Sequence, residues 1–172
     1  VSQASSATAL AAAPSPSAYG QVVTLTATVT GPGITPTGTV AFTDGGAAVS
    51  GCGAVALSAG GVATCTLPAG LAGGAHAFSA LAGGDSNYLA STGAAAHTVD
   101  RVAPTASLSS SSNPSIYGSP VTLTFASSGP AAAPTGTVTF REGATTLCTA
   151  TLSGGGATCE VPLFGVATHA LT

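Results

Sequence analysis

Apolar and hydroxylated residues alternate along several short stretches of this chain. Over residues 21–30, apolar residues alternate with threonine, which predicts a strand with one buried face and one face of hydroxyl groups. Residues 38–43 alternate in the same way and are followed by an Asp-Gly-Gly turn at 44–46. Shorter stretches with strand character cover residues 8–12, 54–57, 62–66, 76–81 and 94–99.

These stretches and the turns between them predict an all-β fold. Seven short strands separated by frequent turns are typical of an antiparallel, immunoglobulin-like β-sandwich. The 24 glycines and 11 prolines leave no long periodic window in which a helix could form. Residues 54–57 and 62–66 flank Gly60 and Gly61, and this arrangement predicts a hairpin.

The chain also contains one segment twice, 98 residues apart. A constant offset of this length marks a tandem repeat of a whole β-domain. We expect a complete domain at 1–99, a short linker at 100–104, and a second domain at 105–172 that lacks its last strand. Either the chain is a window of a longer repetitive protein, or a neighbouring chain supplies a strand. The matching residues are Tyr19 and Tyr117, Val23 and Val121, and Pro36 and Pro134.

Residues 113–118 (NPSIYG) and 134–140 (PTGTVTF), with 84–88 (GDSNY) in the first copy, resemble the bacterial Ig-like repeat domains of large surface proteins. The resemblance implies an extracellular, repeated β-sandwich that serves as a stalk or spacer, and it names no ligand. Two features depart from the family pattern. Ala82 stands where the family usually has a tyrosine, and the family does not require cysteines.

Each copy contains one pair of cysteines, thirteen residues apart in the first copy and eleven in the second. One residue is gained on each side of the turn, so the two cysteines stay opposite one another, which predicts disulfides across a hairpin. Disulfides place a protein in an oxidising compartment, so we expect a secreted, cell-surface location. Reduced buried thiols are the alternative, and a zinc site is disfavoured because no Cys-x-x-Cys pair exists. The predicted pairs are Cys52 with Cys65 and Cys148 with Cys159.

Charge is scarce, with 4% charged residues against a usual value of about 25% and a net charge of −3. Arg101 and Arg141 are the only cations, which argues against binding to nucleic acid or to anionic lipid. No stretch approaches the ~18–20 apolar residues of a membrane-spanning helix, and residues 1–14 lack the pattern of a signal peptide. We therefore expect no membrane insertion.

Histidines and acidic residues are the remaining candidates for chemistry. His76 and His169 occupy equivalent positions and are either metal ligands or pH sensors, or residues that fix a turn by hydrogen bonding, which we favour. His97 has no evident partner. Residues 85–87 (Asp-Ser-Asn) suggest either a calcium site or a turn capped by a side chain, and we favour the turn. Tyr88, which follows, resembles the corner tyrosine of related sandwiches.

No catalytic constellation is visible. The sequence has no Gly-x-Ser-x-Gly nucleophile motif, and its glycine-rich patches read as hairpin turns rather than a cofactor-binding loop. Asp44 and Glu142 are equivalent turn residues in different copies, so they do not form a glycosidase pair. We expect neither enzymatic activity nor a cofactor.

Three functional hypotheses follow. The first is a structural repeat module of a fibrous or surface-anchored bacterial protein, partnered by identical or related repeats. The second is an adhesin segment that binds a carbohydrate or a host protein, although only three Tyr, five Phe and no Trp are present for stacking on sugars. The third is a non-catalytic domain of a secreted hydrolase. The many serines and threonines leave O-glycosylation open.

Overall fold

A computed structural model describes residues 2–130, 132–162 and 164–172. The chain divides into two compact units, Val1–Arg101 and Val102–Thr172, hereafter the first and the second unit. The division falls inside the segment predicted as a linker.

Among the described residues of the first unit there are nine strands. They are β1 (Ala7–Ala13), β2 (Ser17–Ala18), β3 (Val23–Thr30), β4 (Thr39–Asp44), β5 (Ala47–Ala48), β6 (Val55–Ala56), β7 (Val62–Leu67), β8 (Gly74–Ala82) and β9 (Ser91–Asp100).

The nine strands form two sheets. One sheet has the order β1-β3-β7, and the other has the order β2-β9-β8-β4-β5 with β6 also paired to β4. All pairings are antiparallel except that of β2 with β9. The predicted antiparallel, immunoglobulin-like β-sandwich is therefore confirmed.

The alternation of residues along β3 accounts for the core of this sandwich. Its valine, leucine and alanine side chains are buried, and its threonines, at the intervening positions, are more exposed. The other sheet contributes Phe42 on β4 and Phe78 on β8, and both side chains are buried. Each sheet thus contributes one apolar face, as period-two patterning requires.

The structure corrects the predicted hairpin at residues 54–66. β6 pairs with β4 in one sheet, whereas β7 pairs with β3 in the other. The chain changes sheets between them, and Gly61 marks the crossing: its φ is +72°, and its carbonyl accepts a hydrogen bond from the Val29 N–H at 2.8 Å. A Cβ at Gly61 would lie 2.5 Å from the Val29 carbonyl oxygen, so a side chain does not fit there.

Within the described part of the second unit there are five strands. They are β10 (Thr105–Ser110), β11 (Val121–Ser128), β12 (Thr137–Glu142), β13 (Thr145–Thr151) and β14 (Gly156–Val161). One sheet has the order β10-β11-β14, and β12 pairs with β13 in the other. Leu123 on β11 and Phe140 on β12 are the most deeply buried side chains of its core.

The second unit ends in a short segment that lies beside β12. Leu171 forms a bridge with Glu142, and the backbones of Arg141 and Thr172 exchange two hydrogen bonds of 2.8 and 2.9 Å. In the first unit the corresponding bridge, between Asp44 and Phe78, belongs to the long strand β8. The described residues of the second unit contain no counterpart of β9.

Candidate functional site

The disulfide of the first unit crosses the sandwich. Cys52 follows β5, and its backbone carbonyl accepts a hydrogen bond from Phe42 of β4 at 3.0 Å. Cys65 lies on β7 in the other sheet, where it is paired with Leu25 of β3. The two Cα atoms are 5.9 Å apart, and both cysteines are buried. The bond therefore ties one sheet to the other through the core.

The second unit has the equivalent bond. Cys148 lies on β13 opposite Phe140, and Cys159 lies on β14 opposite Leu123. Their Cα atoms are 6.3 Å apart. The cysteines are thus paired as the spacing suggested, but the expected location across a hairpin is wrong. Cys148 and Cys159 sit on strands of different sheets, and Cys65 on β7 lies in a different sheet from β4, to which Cys52 is hydrogen-bonded, because the chain changes sheets between the members of each pair.

His76 lies at the start of β8 with both ring nitrogens near oxygen acceptors. Nδ1 is 2.6 Å from Oδ2 of Asp44, the last residue of β4, and Nε2 is 2.8 Å from the carbonyl oxygen of Ala72. The imidazole is stacked on Phe78 with ring centroids 5.8 Å apart. The Ala72 carbonyl and then the Asp44 carboxylate raise the pKa of His76, against a lowering by burial.

His169 repeats this arrangement in the second unit. Its Nδ1 is 2.5 Å from Oε1 of Glu142, the last residue of β12, and its Nε2 is 2.9 Å from the carbonyl oxygen of Gly165. The ring contacts Phe164 with centroids 4.7 Å apart. The Gly165 carbonyl and the Glu142 carboxylate raise the pKa of His169. We call the two three-part contacts, His76–Asp44–Ala72 and His169–Glu142–Gly165, the histidine clasps.

The sequence indicated turn-fixing histidines but not their carboxylate partners. Asp44 and Glu142 were identified only as equivalent turn residues. A usable signal was present, because a histidine and a carboxylate recur together in both copies. What the sequence lacked was the pairing of β4 with β8, which brings the two side chains together across 32 residues in the first unit.

His97 has partners that the sequence did not reveal. It is buried on β9, with Nε2 2.9 Å from the Ser17 hydroxyl and Nδ1 3.4 Å from the Ser15 hydroxyl. A hydroxyl both donates and accepts, so each contact can be a hydrogen bond whichever ring nitrogen carries the proton. His97 therefore joins β9 to the segment that contains β2.

Asp85 caps a turn. One of its carboxylate oxygens accepts hydrogen bonds from the backbone N–H groups of Asn87 and Tyr88, and the other accepts from the N–H and the hydroxyl of Thr37. The Thr37 N–H first, together with the other donors, lowers the pKa of Asp85 to about 2. Both oxygens are engaged by protein donors, which favours the capped turn over the calcium site.

Tyr88 lies in the same turn as Asp85 and connects it to the segment between β3 and β4. It is 2% exposed, and its hydroxyl is directed at the carbonyl oxygens of Pro32 and, at 2.6 Å, Ile34. The ring lies against Gly31, where any side chain would overlap it. Tyr88 thus secures the β3–β4 connection. Within the described residues no group of three or more His, Cys, Asp or Glu side chains is placed to hold a metal ion.

Two of the open cavities of the second unit have volumes of more than 300 Å³. One, of about 430 Å³, is lined by residues that include Asn113, Tyr117 and His169. The other, of about 310 Å³, is lined by residues that include Phe125 and Phe140. Both lie in the unit in which the described residues include no counterpart of β9. Among the described residues that line them there is no group of three or more His, Cys, Asp or Glu side chains placed to hold a metal ion.

Comparison with known proteins identifies the family. The sequence model of the bacterial Ig-like domain (group 3) matches residues 10–100 and again residues 108–172. The chain belongs to this family. Both repeats are therefore group 3 bacterial Ig-like domains, and the resemblance noted from the sequence is confirmed.

One solved structure that resembles the chain contains the fibronectin(III)-like modules of Clostridium thermocellum CbhA. It is 17% identical, and the alignment covers 90% of this chain and 79% of that one with a TM-score of 0.39. No protein with a curated description matches the chain. In the described residues no helix is long and apolar enough to cross a membrane.

Ig-like domains are generally non-catalytic modules. A tandem of such domains with two disulfides fits a structural extracellular module, because disulfides persist in oxidising surroundings.

Proposed function

We propose that this chain is a structural repeat module of an extracellular fibrous or cell-surface bacterial protein. It would serve as a building block of a stalk or filament, without catalytic activity. The observation that supports this most directly is the repetition, in both Ig-like units, of a disulfide that ties one sheet of the sandwich to the other. A binding site that served one ligand would not require this cross-link twice.

The proposed mechanism is mechanical. When a sandwich is pulled apart, its sheets separate and its chain extends. A bond between Cys52 and Cys65, which are 13 positions apart, keeps the sheets together at one point and prevents the segment between the two cysteines from extending. The bond between Cys148 and Cys159 does the same for cysteines that are 11 positions apart. The cross-links thus limit both the unfolding and the lengthening of each module.

The proposed partners are identical or related repeats. Buried charges that lack a partner are costly, so a chain in which only 4% of the residues are charged suits close packing against like neighbours. An uncharged surface also leaves little electrostatic dependence in any assembly. A strong effect of salt on assembly would count against this part of the proposal.

The first experiment is electron microscopy of the chain purified under oxidising conditions, beside the native material. The proposal expects ordered filaments, or extended rods that repeat at the length of one or two domains. The matched control has all four cysteines changed to serine. Compact single particles in the native material, together with specific retention on a glycan or host protein, would favour the adhesin alternative instead.

The second experiment is force spectroscopy on the same two proteins. With the disulfides intact, each unit should release a shorter length of chain on unfolding than in the serine variant. The difference should be roughly 30–40 Å per unit, from sequence separations of 13 or 11 at about 3.5 Å each, less the 5.9 or 6.3 Å that separates the two Cα atoms across the disulfide. Equal released lengths and equal unfolding forces would contradict the mechanical role.

A further inference from the structure

The histidine clasp occurs twice, although the segments that form it share little sequence. Residues 72–76 read AGGAH and residues 165–169 read GVATH, so the histidine is the only position that they have in common. In both, one ring nitrogen faces the carbonyl oxygen four residues earlier, and the other faces the carboxylate that ends the adjacent strand. The geometry is therefore a repeated property of the two units.

The geometry specifies a protonation state. A neutral imidazole has one N–H donor, whereas the imidazolium has two. Neither a carboxylate nor a backbone carbonyl has a proton to donate. Each ring places both nitrogens within 2.9 Å of such oxygens. Only the imidazolium makes both hydrogen bonds, and loss of its proton sets a nitrogen lone pair against an oxygen lone pair.

We infer that His76 and His169 form two pH-sensitive clasps, one in each unit. As an imidazolium, each ring holds the segment that precedes it, residues 72–76 or 165–169, against the carboxylate of Asp44 or Glu142. Deprotonation breaks one of the two hydrogen bonds and releases that segment. The two rings are 12% and 20% exposed, so water only partly replaces the lost contact.

The other ionisable groups around His76 come from β4 and β9. Asp44 on β4 is in direct contact, and His97 on β9 is its register partner, with the Phe78 ring 5.8 Å from each imidazole. Asp100 and Arg101 follow at the end of β9, and the Arg101 side chain lies beside Gly73. Of these groups, the Asp44 carboxylate favours the imidazolium.

The surroundings of His169 are simpler. Glu142 is in direct contact, Arg141 precedes it on β12, and Tyr117 lines the same cavity. The pKa values of both histidines are raised above 6.5. The clasps are therefore fully closed below pH 6.5, and they open as the pH rises through the raised pKa values.

The test is an NMR titration of the imidazole nitrogens in the intact, oxidised chain. We expect His76 and His169 to have two protonated nitrogens at acidic pH and to titrate above 6.5. Hydrogen exchange, corrected for its intrinsic pH dependence, should show protection of residues 72–76 and 165–169 falling roughly tenfold through the same range, as expected for loss of one charge-assisted hydrogen bond. Titration at or below 6.5, or unchanged protection, would overturn the inference.

Two variants provide matched controls. Asp44→Asn and Glu142→Gln keep the size of the side chain and remove its charge. Asp44→Asn should lower the pKa of His76 and leave that of His169 unchanged, and Glu142→Gln should do the reverse. If neither substitution changes the pKa of its own histidine, the clasp is refuted. Should one variant fail to fold, the other variant and the titration of the unaltered chain still decide the matter.

Discussion

The two units share a sequence pattern but differ in how far it is buried. Ser17 and Ser115 occupy the same place in the repeat, yet Ser17 is 2% exposed and hydrogen-bonded to His97 of β9, whereas Ser115 is exposed. Tyr117 is 67% exposed, while its counterpart Tyr19 is half-buried. Equivalent residues of the two repeats therefore differ in burial, and the difference at Ser17 comes from its contact with the neighbouring strand β9.

The difference extends to the cores. Thirteen buried apolar residues form the core of the first unit, and six form the core of the second among the described residues. The disulfide and the histidine clasp are present in both. We therefore expect the second unit to depend on its cross-links for a larger share of its stability, because burial among the described residues contributes less.

The largest effect is expected from removing the central phenylalanine of each core. Phe42→Ala and Phe140→Ala should each destabilise their own unit by about 3–5 kcal/mol, since both rings are almost fully buried. In Phe140→Ala the second unit should unfold, whereas in Phe42→Ala the first unit should stay folded with reduced stability. Hydrogen exchange resolved by residue measures this. Unchanged protection of β11 and β14 in Phe140→Ala would contradict it.

The disulfides should have the next largest effect. Replacing both cysteines of one pair by serine should destabilise that unit by about 3 kcal/mol. The loops of 13 and 11 residues are nearly equal, so a larger structural loss in the second unit would come from its smaller core. Denaturant unfolding followed separately in each unit gives the two values. Each double variant is the control for the other. Equal stability of the two units after loss of their disulfides would contradict the larger dependence of the second unit on its cross-link.

Tyr88→Phe should affect the first unit alone. Removing the hydroxyl leaves the carbonyls of Pro32 and Ile34 without that donor, at a loss of about 1–3 kcal/mol. Tyr117→Phe is the matched control in the second unit, because that side chain is largely exposed and its loss of a hydroxyl should change little. A stability change in the control as large as in Tyr88→Phe would show that the corner contact is not the cause.

The smallest effect is expected from acid titration of Asp85. Its pKa is lowered from 3.8 to about 2, so its contribution to stability is complete above 3.8 and is lost as the pH falls towards 2. In Asp85→Asn, unfolding of the first unit should depend less steeply on pH in that range. Thermal unfolding between pH 5 and 2 measures this, with the second unit as internal reference. Equal slopes in the variant and the unaltered chain would refute the assignment.

Much of the fold was predictable because it depends on local patterning. The alternation in Val23–Thr30 identified a half-buried strand, and the repeat at a constant offset identified two domains of one kind. Cysteine spacing suggested the two pairs. These features are carried by neighbouring residues or by comparison of one copy with the other, so they are visible without any knowledge of which strands meet.

Tertiary structure decided which strands meet. A Gly60-Gly61 turn in the sequence does not tell whether the chain folds back within one sheet or crosses to the other. The pairing of β7 with β3 and of β6 with β4 decided this, and it placed Cys65 in a different sheet from the strand that contacts Cys52. The contact of His76 with Asp44 likewise required β4 to lie beside β8. Sequence alone determined the strands, their apolar faces and the repeat, because side-chain periodicity is local. The cross-sheet disulfides, the clasps and the depth of burial arise from contacts between distant segments, which local patterns do not specify.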